Sequence, residues 1–189
     1  MKTQNSLVIG VDPGVNNLGW CITLPDGELA QWGLLTETLV DLKTTDDIKT
    51  FRKNMIGLIT TLNSITRKKY LPDFVMERYM PRGMRRGNQV ERINIIIGYL
   101  LGMVSYRRAF MVQASTWKNR REREYTLVEN STVPDHMVDT YTLTLYYLEK
   151  VRDVLSTRDV KRRLRDVRET DWGWKKKKGV WIQGRVESK

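Results

Sequence analysis

Acidic side chains stand at three separate places where a carboxylate would leave an apolar run: Asp12 after Leu7 to Val11, Glu77 after Phe74 to Met76, and Asp135 and Asp139 on either side of His136-Met137-Val138. Such runs keep the backbone in the core while the carboxylate emerges at its rim. Carboxylates that converge repel one another unless a cation lies among them. Hard divalent ions such as Mg²⁺ take oxygen ligands of this kind, and two of them about 3.5–4 Å apart can clamp the attacking and leaving oxygens of a phosphodiester. The chemistry these residue types would do is metal-dependent phosphodiester hydrolysis. Each acid has an ordinary explanation as well. Asp12-Pro13-Gly14 is a common turn formula, Glu77 has Arg78 and Arg82 nearby as partners, and Asp135 follows Pro134 where the helix dipole favours an acid. Asp139 lies inside that same helix, with Asp135 at i−4 and His136 at i−3.

Basic side chains surround these acids in sequence. Arg78, Arg82, Arg85 and Arg86, interleaved with Gly83 and Gly87, follow Glu77 and suit the gripping of phosphate. Lys118, Arg120, Arg121 and Arg123 precede the last helix as a second group. In the tail, Trp172, Trp174 and Trp181 interleave with Lys175, Lys176, Lys177 and Lys178. Aromatics among cations stack on unpaired bases, or else pack the tail onto the core. The chain has 33 Lys plus Arg against 22 Asp plus Glu over 189 residues, a net charge of +11. Residues 156–189 hold 12 basic against 5 acidic residues and so carry +7 of it. That balance points to a polyanionic partner, above all nucleic acid.

Other classes are disfavoured by composition. One Cys, Cys21, and one His, His136, leave neither an internal disulfide nor a Cys/His zinc cluster, which favours a reducing compartment. The start, Met1 to Ser6, is polar and has no apolar secretory region, and the most apolar run, Ile93 to Val104, is about half a membrane span. The expectation is a soluble intracellular protein, not secreted, without a membrane partner. At 40% hydrophobic and 29% charged the chain can bury an ordinary core.

The elements that must position the acids read as strand, strand, strand, helix, strand, helix, strand, helix. Leu7 to Val11 and Leu18 to Leu24 are strands, and the Pro25-Asp26-Gly27 turn leads into a third from Glu28 to Leu35. Ile48, Phe51, Met55, Leu58, Leu62 and Ile65 mark a helix over Asp46 to Lys69. A fourth strand runs from Asp73 to Glu77, a helix from Asn88 to Tyr106, a fifth strand from Ala109 to Gln113, and Pro134 opens a long helix burying Val138, Tyr141, Leu145, Leu148, Val151 and Leu155. The pattern predicts an α/β domain over residues 1–155, with a mixed five-stranded sheet whose first three strands are antiparallel and whose later strands are parallel, flanked by helices. Residues 156–189 form a basic, Trp-containing extension.

Val8-Ile9-Gly10-Val11-Asp12-Pro13-Gly14, followed by Leu18-Gly19-Trp20, resembles the opening of the RuvC-like Holliday junction resolvases, members of the RNase H-like superfamily. Phe74-Val75-Met76-Glu77-Arg78 and His136-Met137-Val138-Asp139 resemble that family's second and third acidic motifs. Glu77-Arg78 with Pro81-Arg82, the 17-residue gap between Trp117 and Asp135, and the basic tail are closer in style to the viral and phage branch. The resemblance implies an RNase H-like fold and a homodimer formed through the 88–106 helix, whose paired sites suit the two-fold symmetry of a four-way junction. It implies an endonuclease for four-way and other branched DNA, placed in the bacterial cytoplasm or, for a virus or phage, in the host cell. Asp12, Glu77 and Asp139 would hold one or two Mg²⁺ or Mn²⁺ ions. The position three before Asp139 is a second acid in many members and His in others; here it is His136, which suits Mn²⁺ better than Mg²⁺. Either His136 is a ligand or water-positioning base, or adjacent Asp135 supplies the carboxylate; His136 is preferred. Arg78, Arg82, Arg85, Arg86, Lys118, Arg120, Arg121, Arg123, Lys175 and Lys176 would contact DNA.

Three other readings compete. A sugar-kinase-like phosphotransferase shares Asp12-Pro13-Gly14 with Gly19 but needs a second domain, and no Walker-type Gly-Lys-Ser/Thr is present. An RNA or RNA/DNA-hybrid nuclease of the same fold and a non-catalytic basic nucleic-acid binding module stay open.

Overall fold

A computed structural model of the chain describes residues 6–36, 38, 44–66, 71–78, 87–118, 134–169, 172–177 and 180–185. The N-terminal meander consists of β1 (Val8–Asp12), β2 (Asn17–Thr23) and β3 (Leu29–Thr36), paired antiparallel in that order. Gly27 makes the turn between β2 and β3 at φ 81°, a left-handed conformation that glycine adopts without strain. Helix α1 (Thr45–Thr66) begins at a reciprocal cap, with Asp47 N–H donating to Thr44 Oγ1 and Thr44 N–H to Asp47 Oδ2. Strand β4 (Asp73–Arg78) then pairs parallel to β1, helix α2 (Gly87–Met103) follows, and β5 (Arg108–Gln113) pairs parallel to β4. Residues 114–118 are helical and are labelled α3. Helix α4 spans Asp135–Lys150 and α5 spans Thr157–Glu169, before a hairpin of β6 (Trp172–Lys177) and β7 (Val180–Arg185).

The five expected strands stand in the order β5-β4-β1-β2-β3, antiparallel first and parallel later, and two more continue the sheet. The basic segment after residue 155 supplies them: β7 pairs antiparallel with β3, and β6 with β7, so the sheet has seven strands among the described residues. Its helix α5 adds Val160 and Leu164 to the core.

Side chains alternate across each strand and so build two cores. On one face Ile9, Val11, Leu18, Trp20, Ile22, Phe74 and Met76 pack against α1 and α2; on the other Val8, Cys21 and Val75 pack with Met137, Tyr141 and Leu145 of α4. Asp12 follows Val8 and Gly10 in this alternation, and Asp73 and Glu77 flank Val75, so all three acids face α4. Helix α4 is shorter than its apolar pattern predicts. It stops at Lys150, and Asp153 takes φ 52° in the turn that follows. Val151, expected to be buried, is therefore exposed, while Leu155 reaches the core from beyond the turn.

Candidate metal centre

Parallel pairing of β1 with β4 matches Val11 to Met76, so Asp12 and Glu77 leave the sheet side by side at the same edge. The third acid comes from α4, which crosses the sheet in direct backbone contact with β1 and β2. Two glycines permit that approach: a Cβ on Gly10 would collide with Thr140 and Thr144, and one on Gly19 with the His136 carbonyl. The glycines of the first motif thus set the depth at which α4 presents His136 and Asp139. Asp12, Glu77 and Asp139 are 7%, 6% and 6% exposed.

Two basic side chains meet these carboxylates. His136 Nδ1 lies 2.7 Å from Asp12 Oδ2, and because an ionised carboxylate only accepts, Nδ1 carries the hydrogen and donates. This hydrogen bond raises the imidazole pKa above its ordinary value despite partial burial. Lys118 Nζ donates to Glu77 Oε1 at 3.3 Å and lies 3.0 Å from Oε2 and 3.3 Å from Asp139 Oδ2. Burial works against the ammonium charge, but Glu77, Asp12 and Asp139 outweigh it and raise the Lys118 pKa. The lysine is held in place by its neighbour Trp117, which is buried and whose ring centroid is 5.1 Å from Nζ.

Glu77 is the strained member. Burial raises its pKa first, Asp12 and Asp139 push it further, and Lys118 recovers only part, leaving it at about 7. Its Oε2 is buried among like charges, with the Lys118 ammonium at 3.0 Å as its one cationic neighbour among the described residues and no hydrogen bond of good geometry. Three carboxylates fit a hard divalent cation in donor chemistry, with Asp12, Glu77 and Asp139 as the residues that would hold it and His136 beside them as a further ligand or a water-positioning base. Among the described residues no set of three or more His, Cys, Asp or Glu already stands in coordinating geometry. The Lys118 ammonium bridges two of the acids and does part of a cation's neutralising work.

The structure therefore brings together Asp12, Glu77, Asp139 and His136, and leaves Asp135 exposed on the first turn of α4. Arg78 is exposed beside Glu77 at the end of β4. Lys118, read from sequence as a contact to the DNA backbone, lies among the acids. Arg82, Arg85, Arg86, Arg120, Arg121 and Arg123 fall outside the described residues, and Lys175 and Lys176 lie on β6. Lys118 is 41 residues from Glu77, so spacing gave no hint of their contact. A signal did exist: β5 pairs with β4 in a register that sets Glu77 opposite Val112, so the residues after β5 emerge at the same edge.

Neither a protein-family model nor a curated protein sequence matches the chain. Solved structures do. The structure of T. thermophilus RuvC in complex with a Holliday junction substrate matches at TM-score 0.55 and 12% identity, over 78% of this chain and 96% of that one. A second Thermus thermophilus RuvC structure matches at TM-score 0.51, with the same identity and coverage. At this identity the likeness is one of fold: the chain has the RNase H-like α/β fold of the RuvC resolvases. Neither structure supports the closeness to the viral and phage branch expected from the sequence.

Proposed function

We propose that this chain is a divalent-metal-dependent, structure-selective endonuclease that cuts four-way and other branched DNA. The observation that carries the reading is the convergence of three buried carboxylates, from β1, β4 and α4, that Lys118 neutralises only in part, on a strongly basic protein. Asp12, Glu77 and Asp139 would hold Mg²⁺ or Mn²⁺, one or two ions per site, whose bound charge would acidify water and neutralise the phosphoryl oxygens. His136, oriented by its donation to Asp12, presents Nε2 as the position that takes or gives a proton. Lys118 keeps the acids together before substrate arrives and offers a positive charge to the phosphate. Arg78, exposed next to Glu77, grips the flanking backbone. A homodimer would set two such sites for the two symmetric strands of a junction. The RuvC structure solved with a Holliday junction supports the choice of branched DNA.

The test is a set of substrates, four-way junction, flap, linear duplex and RNA/DNA hybrid, incubated with and without Mg²⁺ or Mn²⁺. Junction cutting that needs metal and disappears in Asp12→Asn, while junction binding persists, is the expected result. One observation favours a second reading, a non-catalytic nucleic-acid binding module: Lys118 already neutralises the acids, and the described groups are not set for coordination. DNA binding indifferent to chelator, with no cutting under any metal, would establish that alternative, and cutting confined to the hybrid would establish an RNA-directed nuclease.

A further inference from the structure

Helix α5 lies at the opposite end of the domain from the acids. Its first residue, Thr157, donates through Oγ1 to Glu149 near the far end of α4, and α4's 16 residues span about 24 Å. Arg163 ties α5 to the turn between β2 and β3, its Nε donating to the Asp26 carbonyl at 3.1 Å and its guanidinium pairing with the Asp26 carboxylate. Val160 and Leu164 are buried beneath the helix. Arg158, Lys161 and Arg165 are exposed on its outer side, at i, i+3 and i+7, with Asp159 and Arg162 beside them. The acid in this stripe is already engaged: Asp159 accepts from Ser156 N–H and Oγ as the helix cap and pairs with Arg162 at 3.2 Å. Among the described residues no carboxylate pairs with Arg158, Lys161 or Arg165.

We propose that this stripe is a second docking surface, for the phosphate backbone of duplex DNA, set one helix length from the carboxylate centre. It would hold an arm of the substrate while the branch point lies at the acids. The proposal rests on the reading that the chain acts on nucleic acid. Seven residues of helix separate Arg158 from Arg165, about 10.5 Å, which matches the rise of about three base pairs at 3.4 Å each. A row of fixed cations on that scale can follow one strand. An anionic membrane fits worse, because a helix that binds a bilayer inserts its apolar side, and here Val160 and Leu164 are committed to the core.

The full-length triple variant Arg158→Gln, Lys161→Gln, Arg165→Gln tests this, alongside a double variant that keeps Lys161. Binding to a linear duplex and to a four-way junction is measured in chelator across a salt series, with phosphatidylserine vesicles and polyglutamate as other polyanions and polypeptides. The slope of log affinity against log salt on duplex should become shallower by about 2.7 in the triple variant and about 1.8 in the double, from about 0.9 per lost phosphate contact. If the triple variant melts early, the double variant carries the measurement. Unchanged slopes on DNA, or a loss confined to vesicles or polyglutamate, overturn the proposal. A shallower slope in a protein that cuts nothing under any metal would keep this surface and sink the nuclease; metal-dependent junction cutting with unchanged slopes would do the reverse.

Discussion

Strand β4 carries a buried acid at each end, and the two have opposite fates. Asp73, fully buried, receives Arg107 Nη2 at 2.8 Å, Arg108 Nη2 at 3.2 Å and the Tyr147 hydroxyl at 2.8 Å, with Arg152 at 3.8 Å. Burial alone would raise its pKa, and hydrogen bonds from Arg108, Arg107 and Tyr147 more than reverse this, so the carboxyl lies below its ordinary value. Glu77, four residues on and facing the same side, has Lys118 as its cationic neighbour, two further acids beside it, and a pKa raised to about 7. Both are buried carboxylates on one strand. Over-supplied with donors, the first is a structural tie; under-supplied, the second is poised for a cation that the fold does not itself provide.

Cutting is the sharpest way to break this contrast. Glu77→Gln keeps the shape and removes the charge, so metal-dependent junction cleavage should fall by about a thousandfold or more, the scale of losing a main electrostatic contributor. In chelator at pH 8 the same variant should melt no lower than the parent, because it removes a desolvated charge. Mg²⁺ or Mn²⁺ should raise the Tm of the parent more than that of the variant. Retained cleavage, or a large loss of stability, would place Glu77 in the same class as Asp73. The counterpart is Asp73→Ala. It leaves three guanidinium groups and a buried hydroxyl without their acceptor and should cost about 3–5 kcal/mol in denaturant unfolding. Cleavage per folded molecule should be unchanged.

These two acids were not equally legible in the sequence. Glu77 stood out because it ends an apolar run and sits in a motif, and strand alternation with parallel pairing explains why it meets Asp12. Asp73 gave no such sign: its partners come from Arg107 and Arg108 at the start of β5, and only the Asp73 to Arg108 register reveals them. Lys118 is legible as a cation for DNA but not as a partner of Glu77 and Asp139, since pairing between distant strands brings it among them. In the basic tail the charge and the three Trp leave stacking on bases and packing onto the core both open, and they hide Val160 and Leu164, spaced four residues apart on α5, and the hairpin that extends the sheet from β3. Local pattern was enough for the meander and the long helices. Contacts that depend on which strand lies beside which were not visible until the sheet order was known.

A smaller effect separates the two groups at the start of α4. His136 touches Asp12 while Asp135 is exposed, so His136→Ala should lower cleavage by about 10–100-fold, as loss of an orienting partner at a metal site does. Asp135→Asn should leave the rate within about twofold of the parent, as is usual for an exposed change of charge. A reversal of these results would move the fourth position of the site from His136 to Asp135.

The smallest effect lies in the pH dependence of stability, and its sign differs between the two ends of β4. Glu77 has a folded pKa of about 7 against 4.5 when unfolded, so between those values the folded state keeps a proton that the unfolded state releases. Its contribution to stability therefore declines as pH rises from about 4.5 to about 7, by at most about 1.4 kcal/mol per pH unit for one group. Asp73, with its folded pKa below 3.8, contributes stability that is fully present above that value and is lost as pH falls through the folded pKa. Denaturant unfolding of the parent, Glu77→Gln and Asp73→Asn in chelator separates the two. Subtracting Glu77→Gln should remove a downward slope in the 4.5–7 window, and subtracting Asp73→Asn should remove an upward slope below pH 4. Saturating Mg²⁺ should flatten only the Glu77 component, because a bound cation favours the ionised carboxylate that burial opposes. If Mg²⁺ leaves that slope intact, Glu77 is not a ligand, and the difference between the two ends of β4 is one of packing alone.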